Sequence, residues 1–188
     1  MEEYLAREAR PEMEEGKGSP WAQALLRALS WLVILLMLAI VLQVLCSALD
    51  INPLAQFASA LPLLGKGLTL NSLLDLQWHL LVIVGLLPAG VVWLGDAHVR
   101  VDFLYQKRSD RTKARIDLLG NLAFALPFLV MILPAAWDFT HRAWRSDEGS
   151  RSGGLNDLWL IKAFLPLGMA LLALAIAIET LRLLRRAK

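Results

Sequence analysis

The run ALSWLVILLMLAIVLQVLCSAL, from Ala28 to Leu49, contains no charged residue. A helix needs about 20 residues to cross a hydrocarbon core of about 30 Å, so this run predicts a membrane-spanning helix. Three more segments are of comparable length: Leu73–Leu94, Ile116–Phe139 and Leu158–Leu183. The expected fold is an all-α membrane protein with four transmembrane helices, at about 28–49, 73–94, 116–139 and 158–183. Within the second span Pro88 is tolerated, because neighbouring helices can satisfy the carbonyl it frees. The intervening DINPLAQFASALPLLGKGLTLNS is broken by Pro53, Pro62, Gly65 and Gly67. Each unbroken piece is too short to cross, which predicts an outward interfacial or re-entrant segment between the first and second spans.

Composition agrees: the chain is 57% hydrophobic with a mean hydropathy of +0.53, too apolar for a water-soluble domain. Residues 1–24 read as a charged tail, with a transient helix near 2–9, ahead of a membrane domain at 25–186. The run after Arg27 is longer than a signal-peptide core and follows acid-rich sequence, so the first segment is expected to stay in the mature chain. The net charge of +2 gives no argument for nucleic acid. The single cysteine, Cys46, excludes an internal disulfide and a cysteine metal motif.

Four spans bring both termini to one side, and the basic residues say which. Arg7, Arg10, Lys17 and Arg27 precede the first span, Arg100, Lys107, Arg108, Arg111, Lys113 and Arg115 lie between the second and third, and Arg182, Arg185, Arg186 and Lys188 end the chain. The other side has Lys66, Arg142, Arg145, Arg151 and Lys162. Both termini and the loop GDAHVRVDFLYQKR are therefore expected in the cytoplasm, with residues 50–72 and 140–157 facing outward. Two spans per half do not make an inverted repeat, which needs an odd number.

No catalytic motif is present: GxSxG, phosphate-loop and dinucleotide fingerprints are all missing from the sequence, so an enzyme is not expected. His79 and His98 bracket the second span about 28 Å apart and cannot share a metal. His79 and His141 both lie near the outer surface, yet no ligand motif supports a metal there, and no metal or cofactor is expected. Asp75, Asp138, Lys162 and Glu179 fall within a turn or two of span ends, where side chains reach the interface. Glu179 stands three residues before Arg182, which predicts a local ion pair. Gln43, Gln77 and Asn121 are uncharged polar residues within spans, expected to join helices. Gly85 with Ala89, and Ala173 with Ala177, have the spacing for close helix approach.

In the inner loop, apolar Val99, Val101 and Phe103 alternate with His98, Arg100 and Asp102, as in an extended segment. Asp102 equally suits the cap of a short helix FLYQKR, and Ser109 or Asp110 the start of the third span. Charges that only fix topology are an equal reading of the same loop.

This loop, with His98, Val99, Arg100, Val101 and Asp102 after a second span, resembles the small membrane subunit of tripartite ATP-independent periplasmic (TRAP) transporters, whose pattern is H-[IV]-R-V-D. NSLLDLQWHL, with Trp78 and His79, is similar to the start of the second span in one branch of the family and LWLIKAFLPLGMALLAL to its fourth span, and the resemblance covers roughly residues 25–183. It implies a non-catalytic subunit in the bacterial inner membrane. There it would support the scaffold of a large membrane subunit that uses a sodium gradient to import a solute, commonly an organic acid, delivered by an extracytoplasmic binding protein. Sodium would bind in the large partner, and membrane lipids would cover the rest. His98, Arg100 and Asp102 are then expected to hold the inner loop in shape or against the partner. Trp78, His79, Arg142 and Arg145 are candidates for outer-side contacts, although HRAWRSDEGSRSGGLND also reads as a flexible, solvated loop. The rival readings are a membrane anchor of a redox complex, which needs histidines facing each other within spans, and a self-contained small transporter or channel.

Overall fold

The computed structural model describes residues 20–97, 105 and 107–186. The helix expected near residues 2–9 and the alternating run 98–103 lie outside them. Four helical segments are long and apolar enough to cross a membrane: Gln23–Ala48, Leu70–Leu94, Asp110–Arg145 and Trp159–Arg185.

Helix α1, Pro20–Ala48, opens on proline, whose missing N–H costs nothing at a first helical position. It packs on α2, Leu70–Leu86, through one stripe in which Leu29, Ala39 and Cys46 are buried. Much of its remaining surface, including Trp31, Met37, Leu38 and Val44, is exposed and apolar, as expected of a helix whose solvent is lipid. Inside this interface Gln77 Nε2 donates to Gln43 Oε1 at 2.9 Å and approaches Ala39 O at 3.4 Å. The amides thus join helices, as their placement in apolar sequence predicted. A double-mutant cycle of Gln43→Leu and Gln77→Leu, read by unfolding in detergent, should give a coupling of about 0.6–1.7 kcal/mol. A coupling near zero would remove this bond from the account.

Thr69 caps α2: its hydroxyl accepts from Ser72 N, and Ser72 Oγ accepts from Thr69 N, each at 3.2 Å. Pro88 then interrupts the span, which resumes as α3, Ala89–Leu94. The second span is therefore two helices, because proline removes a backbone donor and its ring crowds the preceding turn.

The third span is α4, Asp110–Gly120, a wide π-helical turn at Asn121–Ala125, and α5, Leu126–Arg145. Ser109 accepts from Thr112 N at the start, as its position suggested, and Asp110 complements the helix dipole. The wide turn, closed by Leu126 N to Asn121 O, comes just before Pro127, which has no N–H to give. It leaves Asn121 buried, with Nδ2 donating to Thr180 Oγ1 of the fourth span at 3.1 Å.

The fourth span is α6, Trp159–Lys162, followed after Ala163 by α7, Phe164–Arg186. Pro166 cannot donate to the carbonyl four residues before it, that of Lys162. The Thr140 hydroxyl of α5 faces that oxygen at 2.9 Å, sharing its proton with Ala136 O at 3.1 Å. A neighbouring helix thus satisfies a proline-freed carbonyl, where lipid would leave it unpaired.

Helix α7 is the hub, packing against α2, α3, α4, α5 and α6. Its closest approach is to the second span. A Cβ on Gly90 would lie 2.8 Å from Leu171 O, and one on Gly168 would lie 2.9 Å from Leu86 Cβ. The pairs expected from spacing, Gly85 with Ala89 and Ala173 with Ala177, are not this contact: a Cβ on Gly85 meets nothing within 4 Å and Ala177 is exposed. Gly85 stands five residues before Gly90, about 140° around a helix, and so lies off the face that Leu86 and Gly90 turn to α7.

Candidate functional site

The two ends of the bundle carry different machinery. At the hairpin end, the segment between the first two spans is a two-stranded antiparallel hairpin, β1 Ala55–Leu61 and β2 Gly65–Leu68. Its register, Ala55 opposite Leu68 and Leu61 opposite Gly65, is irregular in between, since β1 is the longer strand. Gly65 takes φ +63°, a conformation glycine adopts without strain, next to Leu63 at φ +67°.

The connection 146–158 latches onto this hairpin, so the expectation of a free solvated loop is corrected. Leu63 N donates to Asp157 Oδ2 at 3.1 Å, and Leu63 O accepts from Asn156 N at 2.7 Å. The Asn156 side chain lies against Gly65 and Gly149, where a Cβ would sit 2.7 and 2.9 Å from it. Thr69 Oγ1 donates to Gly153 O, Asn71 Nδ2 to Ser152 O, and Leu155 N to Asp75 Oδ2. Gly154 packs directly on Asp75, where any Cβ would overlap the carboxylate. Beneath this cap Lys162 Nζ pairs with Glu148 Oε2 at 2.5 Å and lies 4.2 Å from the centre of the Phe139 ring.

Of the outer candidates, Trp78 is 60% exposed on α2, and Arg142 and Arg145 are exposed in the last turns of α5. His79 turns inward: Nδ1 lies 2.6 Å from Asp75 O, so that nitrogen carries the proton, and buried Nε2 meets no hydrogen-bond partner. His141 contacts Trp144, with ring centres 6.1 Å apart. Among the described residues no three His, Cys, Asp or Glu side chains converge.

At the opposite end, the inner-loop trio His98, Arg100 and Asp102 lies outside the described residues. What the structure does place there is Tyr105, which the sequence reading did not single out. Its hydroxyl donates to Asp117 Oδ2 at 2.5 Å, and Lys113 Nζ stands 5.7 Å from its ring centre. Tyr105 is thereby tied to α4. Glu179 and Arg182 form the expected pair at 3.6 Å, and with Trp93, Asp96, Asp117 and Asn121 they line a cleft of about 750 Å³ between α3, α4 and α7. A tyrosine two residues before Lys107 could have been noticed as an interfacial anchor; its partner, twelve residues on, could not.

Four apolar spans joined by polar contacts and a latched cap at one end describe an integral membrane protein, without a catalytic constellation among the described residues. A family model described as tripartite ATP-independent periplasmic transporters, DctQ component, matches residues 62–186. The chain belongs to this family. The match starts in the turn of the hairpin, takes in the connection 146–158 and the last three spans of this DctQ component, and leaves α1 and β1 outside. No curated protein matches the chain.

Proposed function

We propose that this DctQ-family chain is the small, non-catalytic subunit that supports the scaffold of a larger, sodium-coupled membrane subunit. The complex imports an organic acid delivered by an extracytoplasmic binding protein. The chain lies in the bacterial inner membrane with both termini and residues 95–108 in the cytoplasm. His98, Arg100 and Asp102 hold that loop in shape or against the large subunit, and the latched cap, with Trp78, Arg142 and Arg145, faces the binding protein. His79, turned inward, supports the cap from below.

The observation that carries this reading is how the polar groups inside the spans are used. Asp75 and Lys162 serve the cap, Asp117 and Glu179 hold the opposite end, and Gln43–Gln77 and Asn121–Thr180 tie helices together. A pathway for an ion or a carboxylate needs ionisable or polar groups facing a continuous cavity across the bilayer. Groups already committed to one another at either end suit a support better than a conduit. Orientation is supported by Lys107, Arg108, Arg111, Lys113 and Arg115 standing at the same end as Arg182 and Arg185.

The test is purification in mild detergent through a tag on this chain. A larger, very apolar chain should be retained in fixed stoichiometry. A stable homo-oligomer with no such chain would contradict the proposal.

A further inference from the structure

The cleft of about 750 Å³ between α3, α4 and α7 changes character with depth. Residues 76–95, 118–137 and 163–178 contain no Asp, Glu, Lys or Arg. Asp96, Asp117 and Glu179 are therefore the first charges met on leaving the apolar parts of the second, third and fourth spans at the end opposite the hairpin. All three line the cleft, and Arg182 joins them one turn beyond Glu179. Orientation in a membrane is set by basic residues and hardly by acids, so topology does not account for this rim. Deeper in, the wall is apolar: Leu94 on the second span, Phe124 and Ala125 on the third. Phe124 lies seven residues into the span from Asp117, about 10 Å along the axis, and is 77% exposed, so the cleft opens sideways toward lipid.

Gly120 keeps that opening wide. It lines the cleft on the same face as Asp117 and Phe124, and a Cβ there would meet nothing within 4 Å. Glycine weakens a helix interior, and no close helix approach calls for it here, in contrast to Gly90 and Gly168. The rim is also not closed on itself. At 3.6 Å the Glu179–Arg182 pair is longer than a hydrogen bond, so the guanidinium donors and the carboxylate oxygens can serve a ligand.

We propose that this cleft binds a phospholipid whose headgroup carries a primary amine. The ammonium lies among the rim carboxylates, the phosphate meets the Arg182 guanidinium, and an acyl chain runs down past Phe124 and Ala125. A cavity of this volume is in the range that small ligands occupy, and an apolar wall below a charged rim follows the bilayer's own change of polarity. The headgroup is selected by charge and by donors. A glycerol headgroup brings the phosphate's negative charge to three carboxylates and one guanidinium with no cation to balance it. A trimethylated amine brings the cation but no N–H, whereas a primary ammonium makes charge-assisted hydrogen bonds. The site is separate from the proposed support of a larger subunit, and its test needs only this chain.

The experiment is thermal unfolding of the full chain, purified in detergent and stripped of lipid, with phosphatidylethanolamine, phosphatidylglycerol or phosphatidylcholine of identical acyl chains added back. Phosphatidylethanolamine at a hundred times its dissociation constant should raise the melting temperature by about 5–10 °C, and the other two by less than half as much. Gly120→Phe, which fills the cleft from a position with room for the side chain, should melt as the lipid-free wild type does and lose the response. If that variant proves unstable, Phe124→Ala, which removes an exposed side chain, should cut the response at least by half. Equal stabilisation by the three lipids, or a full response in either variant, would overturn the site. O-phosphoethanolamine alone should give no shift; a shift matching that of the lipid would assign the cleft to a soluble amine phosphate and overturn the lipid.

Discussion

Gly90→Leu is expected to separate the second span from the fourth, while Gly85→Leu, five residues earlier, leaves the bundle intact. At Gly90 any Cβ would stand 2.8 Å from Leu171 O, 3.1 Å from the Leu171 carbonyl carbon and 3.4 Å from Ala175 Cβ. Two of these atoms belong to backbone, which cannot rotate aside as a flexible side chain can. A leucine must therefore push α3 off α7. The cost is the overpacking penalty, about 3 kcal/mol here because backbone must yield, and it lowers the melting temperature of a subunit this size by roughly 6–12 °C. Gly85 points into open space, so leucine there exchanges a poor helix former for a good one and should move the melting point by no more than about 2 °C. Thermal unfolding of the isolated subunits in detergent compares them. Equal effects would mean that the second and fourth spans do not meet at Gly90.

The second large effect is expected at Lys162. Its ammonium is held between Glu148 Oε2, at 2.5 Å, and the Phe139 ring, and its side chain is only 17% exposed. Lys162→Met keeps the length of the stem but leaves the Glu148 carboxylate without its cation. Removing one partner from a fully buried pair costs about 3–5 kcal/mol. The Glu148 side chain is 38% exposed, so water recovers part of that, and a loss of about 1–3 kcal/mol is expected. Because Glu148 belongs to the connection that latches the hairpin, the same variant should raise hydrogen exchange at Leu63, Asn156 and Leu158. Adding Glu148→Gln should restore most of the stability by removing the stranded charge. A double variant as unstable as Lys162→Met would show that the lysine stem or the cation–π contact dominates.

What was legible in the sequence was what depends on local composition. Uncharged runs such as Ala28–Leu49 announce spans wherever they lie, and Gln43, Gln77 and Asn121 stand out because each is polar among apolar neighbours. Ser109 and Glu179–Arg182 were readable because cap and ion pair are made within one turn. The cap was not. The turn of the hairpin at Leu63 is fixed by Asn156 and Asp157, more than ninety residues away, and Gly/Ser-rich sequence looks the same whether loose or latched. The close-packed glycines, Gly90 and Gly168, do not stand out in sequence, because their neighbours Leu171 and Leu86 lie about eighty residues away and no small-residue spacing within one helix marks the contact. Asp138 was seen as an acid near a span end. That it has no donor among the described residues is visible only once the partners of Asp75, Asp117 and Glu179 are placed.

We propose that this chain supports transport and does not itself conduct. The direct measurement is solute uptake into proteoliposomes under an inward sodium gradient, comparing this chain alone, the large subunit alone, and both together with the binding protein. Sodium-dependent uptake should appear with the complete set, fall at least about tenfold when this chain is left out, and be absent with this chain alone. Solute or sodium flux through the chain by itself would contradict the account.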